Sequence, residues 1–137
     1  MDWQTKMNTA VNYIEENISG EITFESVAKI MGCSVWEAQR MFSFVTDTTL
    51  GEYIRGRKLT LAAKELQNDN EKIIDIAIKY GYESSAAFSR AFSRRFGMSP
   101  SQARTERELP NPCPKITFQT TNNEGVGIVK EKNDMQA

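Results

Sequence analysis

Histidine is absent from this chain of 137 residues. Its absence removes the Ser-His and Cys-His nucleophile pairs and most zinc geometries. Cysteine is scarce: Cys33 and Cys113, eighty residues apart, offer no disulfide framework. Cys33, beside Gly32, reads as a small buried hydrophobe, and Cys113, between two prolines, as a linker residue. No apolar run approaches the ~20 residues of a membrane span, and the opening Met-Asp-Trp-Gln is no signal peptide. The expected setting is the cytosol. Carboxylates alone are left for catalysis, and Glu15-Glu16 and Asp69-Asn70-Glu71 lie beside polar residues at helix ends, where solvated surface is the better reading. No enzyme, metal or cofactor is expected.

Net charge is also nearly missing, at −1 with a pI of about 5.6, but the total hides a segregation. Residues 1–35 carry five acids against two bases, residues 36–107 twelve bases against nine acids, and residues 108–137 four acids against three bases. Within the middle segment Arg55, Arg57, Lys58 and Lys64 form one group, and Arg90, Arg94, Arg95, Arg104 and Arg107 another. Basic patches beside apolar stripes are a nucleic-acid footprint, although charge alone would fit an ordinary solvated face. At 39% hydrophobic and 26% charged, the chain can build a core and is not biased towards disorder.

The first 107 residues read as helices. Trp3, Met7, Val11, Ile14 and Ile18 recur at helical spacing before Gly20. Phe24 to Met31 forms a second segment, stopped by Gly32. Ser34-Val-Trp-Glu37, Thr49-Leu-Gly-Glu52 and Ser99-Pro100-Ser-Gln102 have the form of capping boxes, the last with proline at the favoured first position. The chain also repeats a device. Ala28 and Ala77 each stand four residues before a terminating glycine, Gly32 and Gly81. The small side chain admits a crossing helix, and the glycine takes a left-handed turn. Each glycine is followed by a helix with arginine and, two residues on, phenylalanine: Arg40 with Phe42, and Arg90 with Phe92. Two short helices joined by a tight turn make a helix-turn-helix, and there are two.

Between the copies, Leu50, Tyr53, Ile54 and Leu61 form one apolar stripe and Leu59, Ala62, Ala63 and Leu66 a nearly opposite one. A helix with two stripes buries one against each repeat. At about 1.5 Å per residue it spans roughly 27 Å, enough for two modules about one DNA turn apart. After Arg107, Glu-Leu-Pro-Asn-Pro-Cys-Pro reads as a linker. The segments 115–120 and 126–130 then flank Asn-Asn-Glu-Gly in a β-hairpin pattern. An isolated hairpin is marginal in water, so it is either the first piece of a further domain or packed on the helices.

The second helices show what they present. In 35–46, Ala38, Met41, Phe42 and Val45 point inward; Trp36, Arg40 and Ser43 point out with Gln39 beside them, and Phe44 also falls outside. Arg40 suits guanine, and Gln39 suits adenine or a phosphate. In 85–96, Phe88, Phe92 and Phe96 form the core side. Opposite stand Ala86, Arg90, Ser93 and Arg94, flanked by Ala87 and Ser89. Such short side chains let a helix end enter a major groove deeply, with methyl groups against thymine and arginine reaching guanine or phosphate.

The motifs Gly32-Cys-Ser-Val-Trp-Glu-Ala-Gln-Arg-Met-Phe42, Tyr53-Ile-Arg-Gly-Arg-Lys-Leu59, Gly81-Tyr-Glu-Ser84, Phe88-Ser-Arg-Ala-Phe92 and Phe96-Gly-Met-Ser-Pro100 together resemble the AraC/XylS transcription activators over roughly residues 3–107. The resemblance is closest to single-domain members and to those whose effector domain follows the DNA-binding domain. It implies an all-α fold of about seven helices, with helix-turn-helix subdomains near 24–46 and 72–96 joined by a linker helix near 50–68. A proline-rich linker at 108–114 and a hairpin-like segment at 115–137, the possible start of an effector-binding domain, complete the expected organisation. It further implies a bacterial, nucleoid-associated activator that places two recognition helices in successive major grooves of double-stranded DNA and recruits RNA polymerase. Base contacts are expected from Trp36, Gln39, Arg40, Ser43, Ser85, Ala86, Ser89 and Arg90, and phosphate contacts from Arg55, Arg57, Lys58, Ser84 and Arg94. Ala86 and Ala87 replace the longer polar residues common in the family, so the second helix should read bases less sharply. The site should be asymmetric, spanning about two major-groove turns, and bound by a monomer. A small-molecule effector is expected only with a further C-terminal domain. The alternative is an adaptor that contacts RNA polymerase or another protein through Trp36, Phe44 and Tyr82, with weak DNA affinity.

Overall fold

All but one of the described helices begin where a side-chain oxygen accepts an amide that the first turn leaves without a partner. The structure is a computed structural model that describes residues 2–120 and 126–130. Asp2, Thr23, Ser34, Ser84 and Ser99 each accept a backbone N–H three residues on. They open α1 (Trp3–Glu16), α2 (Phe24–Met31), α3 (Val35–Thr46), α6 (Ser85–Phe96) and α7 (Pro100–Ala103), with α4 (Leu50–Asn68) and α5 (Ile73–Lys79) between. The boxes at Ser34/Glu37 and Ser99/Gln102 close in both directions. The box at Thr49 closes in one only. The Glu52 amide donates to Thr49 Oγ1, while the Glu52 carboxylate accepts from the Thr49 hydroxyl rather than from its amide. The fold is all-α with one short antiparallel pair, β1 (Ile116–Thr120) and β2 (Val126–Lys130), in the register Phe118 opposite Ile128.

The chain forms two compact units. One runs to Ile54 and includes the segment that returns from Lys115; the other is built on Arg55–Pro114. In the first unit Met7, Val11, Ile14, Val27, Phe42 and Leu50 are buried, and the Phe42 and Tyr53 rings lie 5.5 Å apart. Strand β1 completes this core. Phe118 is fully buried and meets Trp3 edge-on at 5.7 Å. Its backbone pairs twice with the Asn8 amide, donating to Oδ1 at 2.7 Å and accepting from Nδ2 at 2.9 Å. The Ile116 N–H donates to Tyr53 Oη. Strand β1 of the hairpin thus packs on α1; the Asn-Asn-Glu-Gly turn lies outside the described residues.

The second unit is organised by Phe88, Phe92 and Phe96, whose successive ring centroids are 5.5 and 4.7 Å apart. Leu59, Ala62, Ala63 and Leu66 of α4 are buried in this unit, whereas Leu50, Tyr53 and Ile54 are buried in the first. Leu61, assigned by spacing to the first stripe, is half-exposed instead. The segment read as a linker is fastened along its length. Arg95 Nε donates to the Asn111 carbonyl and Arg57 Nη1 to the Cys113 carbonyl, while the Cys113 amide donates to Thr60 Oγ1; just before the segment, Gln67 Nε2 donates to the Glu106 carbonyl. Leu109 is buried as well.

Candidate nucleic-acid interface

Both repeats turn by the same hydrogen-bonded device. The Cys33 amide donates to the Ala28 carbonyl and the Gly32 amide to that of Lys29; in the second copy Tyr82 donates to Ala77 and Gly81 to Ile78. Gly32 and Gly81 sit at φ of 76° and 88°, a left-handed region where a side chain is strained. Each turn satisfies the last carbonyls of one helix and releases the chain into the next. Ala28 and Ala77 are both buried at the crossing. Helices α2 and α3, and separately α5 and α6, are thus two helix-turn-helix modules.

On α3 the inward face consists of Ala38, Phe42 and Thr46. On the other side Trp36 is 64% exposed, Arg40 is exposed, and Gln39 and Ser43 are half-buried. The Arg40 guanidinium lies over the Trp36 ring, 5.0 Å from its centroid. Glu37 stands three residues before Arg40, the spacing of a helical ion pair. Its carboxylate is engaged elsewhere, accepting the Ser34 amide at 3.0 Å. That backbone bond and the bond to the Ser34 side chain hold the Glu37 carboxyl below its usual range. On α6, Ala86 and Arg90 are exposed, and Ser85 and Ser89 are half-buried.

The basic residues divide sharply. Among the described residues no carboxylate pairs with Arg40, Arg55, Arg90 or Arg94, all of which are exposed. Others are spent internally: Arg95 on Asn111, Arg104 on the Asp69 and Glu71 carbonyls, and Lys79 on the Glu65 carboxylate. Lys58 is half-buried, and burial pushes its amine below the ordinary lysine value. Arg57 requires a correction. It is 2% exposed and bonded to the Cys113 carbonyl at 2.6 Å, so a phosphate cannot reach it in this fold. Ser84 has a role the sequence did not announce, because no Glu or Gln stands at position 87 to mark a box. Its oxygen caps α6 by accepting the Ala87 amide at 3.0 Å, which leaves the hydroxyl proton for an acceptor outside. Phe44, at 86% exposure, projects from α3 without a core role.

The profile of a helix-turn-helix domain family matches residues 27–106. The regulatory protein SoxS of Salmonella typhimurium is 46% identical over 104 residues, covering 76% of this chain and 97% of SoxS. The chain belongs to the AraC/XylS family of transcription regulators. Another relative, the HTH-type transcriptional activator AarP of Providencia stuartii, is 40% identical over 89 residues, covering 65% of this chain and 66% of AarP. Among solved structures, a transcriptional regulator of Chromobacterium violaceum described as AraC-type and DNA-binding superposes with a TM-score of 0.71 at 27% identity. That superposition covers 78% of this chain and 96% of the other. Family membership accounts for the paired modules. Among the described residues, no helix is long and apolar enough to cross a membrane.

Proposed function

We propose that this protein is a sequence-specific bacterial DNA-binding transcription regulator, an activator, that presents α3 and α6 to major grooves of double-stranded DNA. The observation that carries this reading is the set of exposed arginines with no carboxylate partner among the described residues, Arg40 on α3 and Arg90 and Arg94 on α6. A guanidinium left unpaired on a helix whose opposite face is core is positioned for guanine or phosphate. Trp36, Gln39, Arg40 and Ser43 make up the base-reading face of α3, and Ser85, Ala86, Ser89 and Arg90 that of α6. Arg55, Lys58, Ser84 and Arg94 meet phosphates. The name of AarP supports activation, and RNA polymerase is the proposed protein partner. A binding role, without catalysis, in the bacterial cytoplasm completes the reading.

The adaptor alternative draws on the exposed Trp36 and Phe44, 64% and 86% accessible, with Tyr82 half-buried. A titration of affinity against salt separates the two. Binding through several phosphates must fall linearly in log affinity against log salt, with a slope of about −0.9 per phosphate neutralised. Selection of duplexes from a random pool should return one asymmetric site. A salt-independent affinity with no sequence enriched would leave the adaptor.

A further inference from the structure

The contact between Trp36 and Arg40 suggests a division of labour within α3. The capping box starts the helix at Val35, which puts Trp36 on its first turn and Arg40 one turn later on the same stripe. Long side chains on a helix lean towards its N-terminus, so Arg40 reaches back over residue 36. There the guanidinium meets the indole face, 5.0 Å from the ring centroid. A guanidinium that lies parallel to an indole face keeps its N–H groups, which all lie along its edge, for other acceptors. A carboxylate partner would consume those same donors. Glu37, the carboxylate at pairing distance in sequence, is held by the Ser34 amide and does not compete.

We propose that Trp36 is a positioning residue for Arg40: its indole pre-orients the guanidinium, edge outward, for bidentate contact with one guanine. This deepens the DNA-binding reading and rests on it. An exposed tryptophan on a recognition helix could instead read a base of its own or pack against the sugar-phosphate backbone, and those roles leave different signatures. A positioning role acts through Arg40, so the two residues must couple at Arg40's base pair and nowhere else.

The test uses the full chain and the duplex selected from a random pool, together with duplexes in which each base pair is replaced in turn. Affinities are compared for the wild type, Trp36→Ala, Trp36→Phe, Arg40→Ala and the Trp36→Ala/Arg40→Ala double variant. A bidentate arginine contact discriminates its base pair by roughly 5–150-fold. Trp36→Ala should reduce that preference to less than about threefold, compared with the same bidentate range, and leave preference at every other position unchanged. Trp36→Phe, which keeps a flat ring, should retain most of it. The double variant should lose little more than Arg40→Ala alone. Relaxed preference at a different base pair, with losses that multiply, would overturn the proposal in favour of direct reading by Trp36. Equal losses on selected and random duplexes would overturn it in favour of backbone packing. A further readout needs no DNA: in the free protein the Arg40 side-chain N–H resonance should show an aromatic ring-current shift that disappears in Trp36→Ala. If that shift is missing from the wild type, the pre-orientation is wrong even if DNA binding stands. If the shift is present and no duplex is selected, the DNA-binding reading fails instead.

Discussion

Arg57 is the residue at which a stability role and a DNA-binding role are most cleanly separated. The residue is 2% exposed, and its guanidinium donates to the Cys113 carbonyl at 2.6 Å. Arg57→Ala removes the charge-assisted hydrogen bond to the Cys113 carbonyl, worth about 1.5–3 kcal/mol. It also withdraws two buried methylenes beyond the β-carbon, at about 0.8 kcal/mol each. The sum, about 3–5 kcal/mol, is a large share of the 5–15 kcal/mol typical of a small domain. Arg57→Met keeps most of the apolar stem, loses only the polar contact and should cost about 2 kcal/mol. Urea unfolding followed by circular dichroism measures both losses. For the fraction that stays folded, the slope of affinity against salt should match the wild type, because a buried cation displaces no counterion. Arg94→Ala is the contrast: exposed and without a carboxylate partner among the described residues, it should keep the unfolding midpoint and flatten the salt slope by about one. An unchanged midpoint for Arg57→Ala, with the slope flattened by about one, would refute the structural assignment.

A Cβ at Gly56 would lie 2.9 Å from Arg95 Nη1 and from Cys113 Cβ and Sγ. Gly56→Ala should therefore cost a net ~1–2 kcal/mol despite better helix propensity, and Cys113→Gly should rescue it in thermal melts. Asn8→Ala deprives the Phe118 N–H and C=O of their partners and should cost about 2–4 kcal/mol in chemical denaturation, whereas Asn8→Asp, which still accepts the N–H, should cost less. The Lys79 ammonium is held above its ordinary value of 10.5 by its hydrogen bond to Glu65. A raised folded pKa stabilises the fold below the unfolded value and loses that effect as pH rises through the folded one. The gap between wild type and Glu65→Gln, under about 1 kcal/mol for so exposed a lysine, should hold at neutral pH and close above pH 10.5 in urea titrations. The selected DNA site should have a sharply defined part that responds to Arg40→Ala and a degenerate, A/T-rich part that responds to Arg90→Ala; equal information in both parts, or a palindrome bound two to one, would contradict this.

The starts of α3 and α7, the duplicated glycine turns and the outward faces of α3 and α6 were legible in the sequence, because each depends on residues within one or two turns of one another. Ser34 and Glu37, or Ala28 and Cys33, meet wherever the local helix forms. The family resemblance rests on these same local motifs. Other matters waited for the chain to return on itself. Arg55, Arg57 and Lys58 belong to one basic run, yet one is exposed, one buried and one half-buried. Their fates depend on where each points from α4 and on Cys113, which is 56 residues away from Arg57 in sequence. Thr49 and Glu52 satisfy the capping-box pattern, but the carboxylate chose the hydroxyl. The stretch 108–114 has a linker's composition and is nonetheless tied down by Arg95, Thr60 and Arg57. The hairpin owes its place to Asn8, 110 residues before the backbone it pairs with. A local pattern records which groups need partners. Which distant group supplies the partner is decided only when burial makes leaving it unpaired costly.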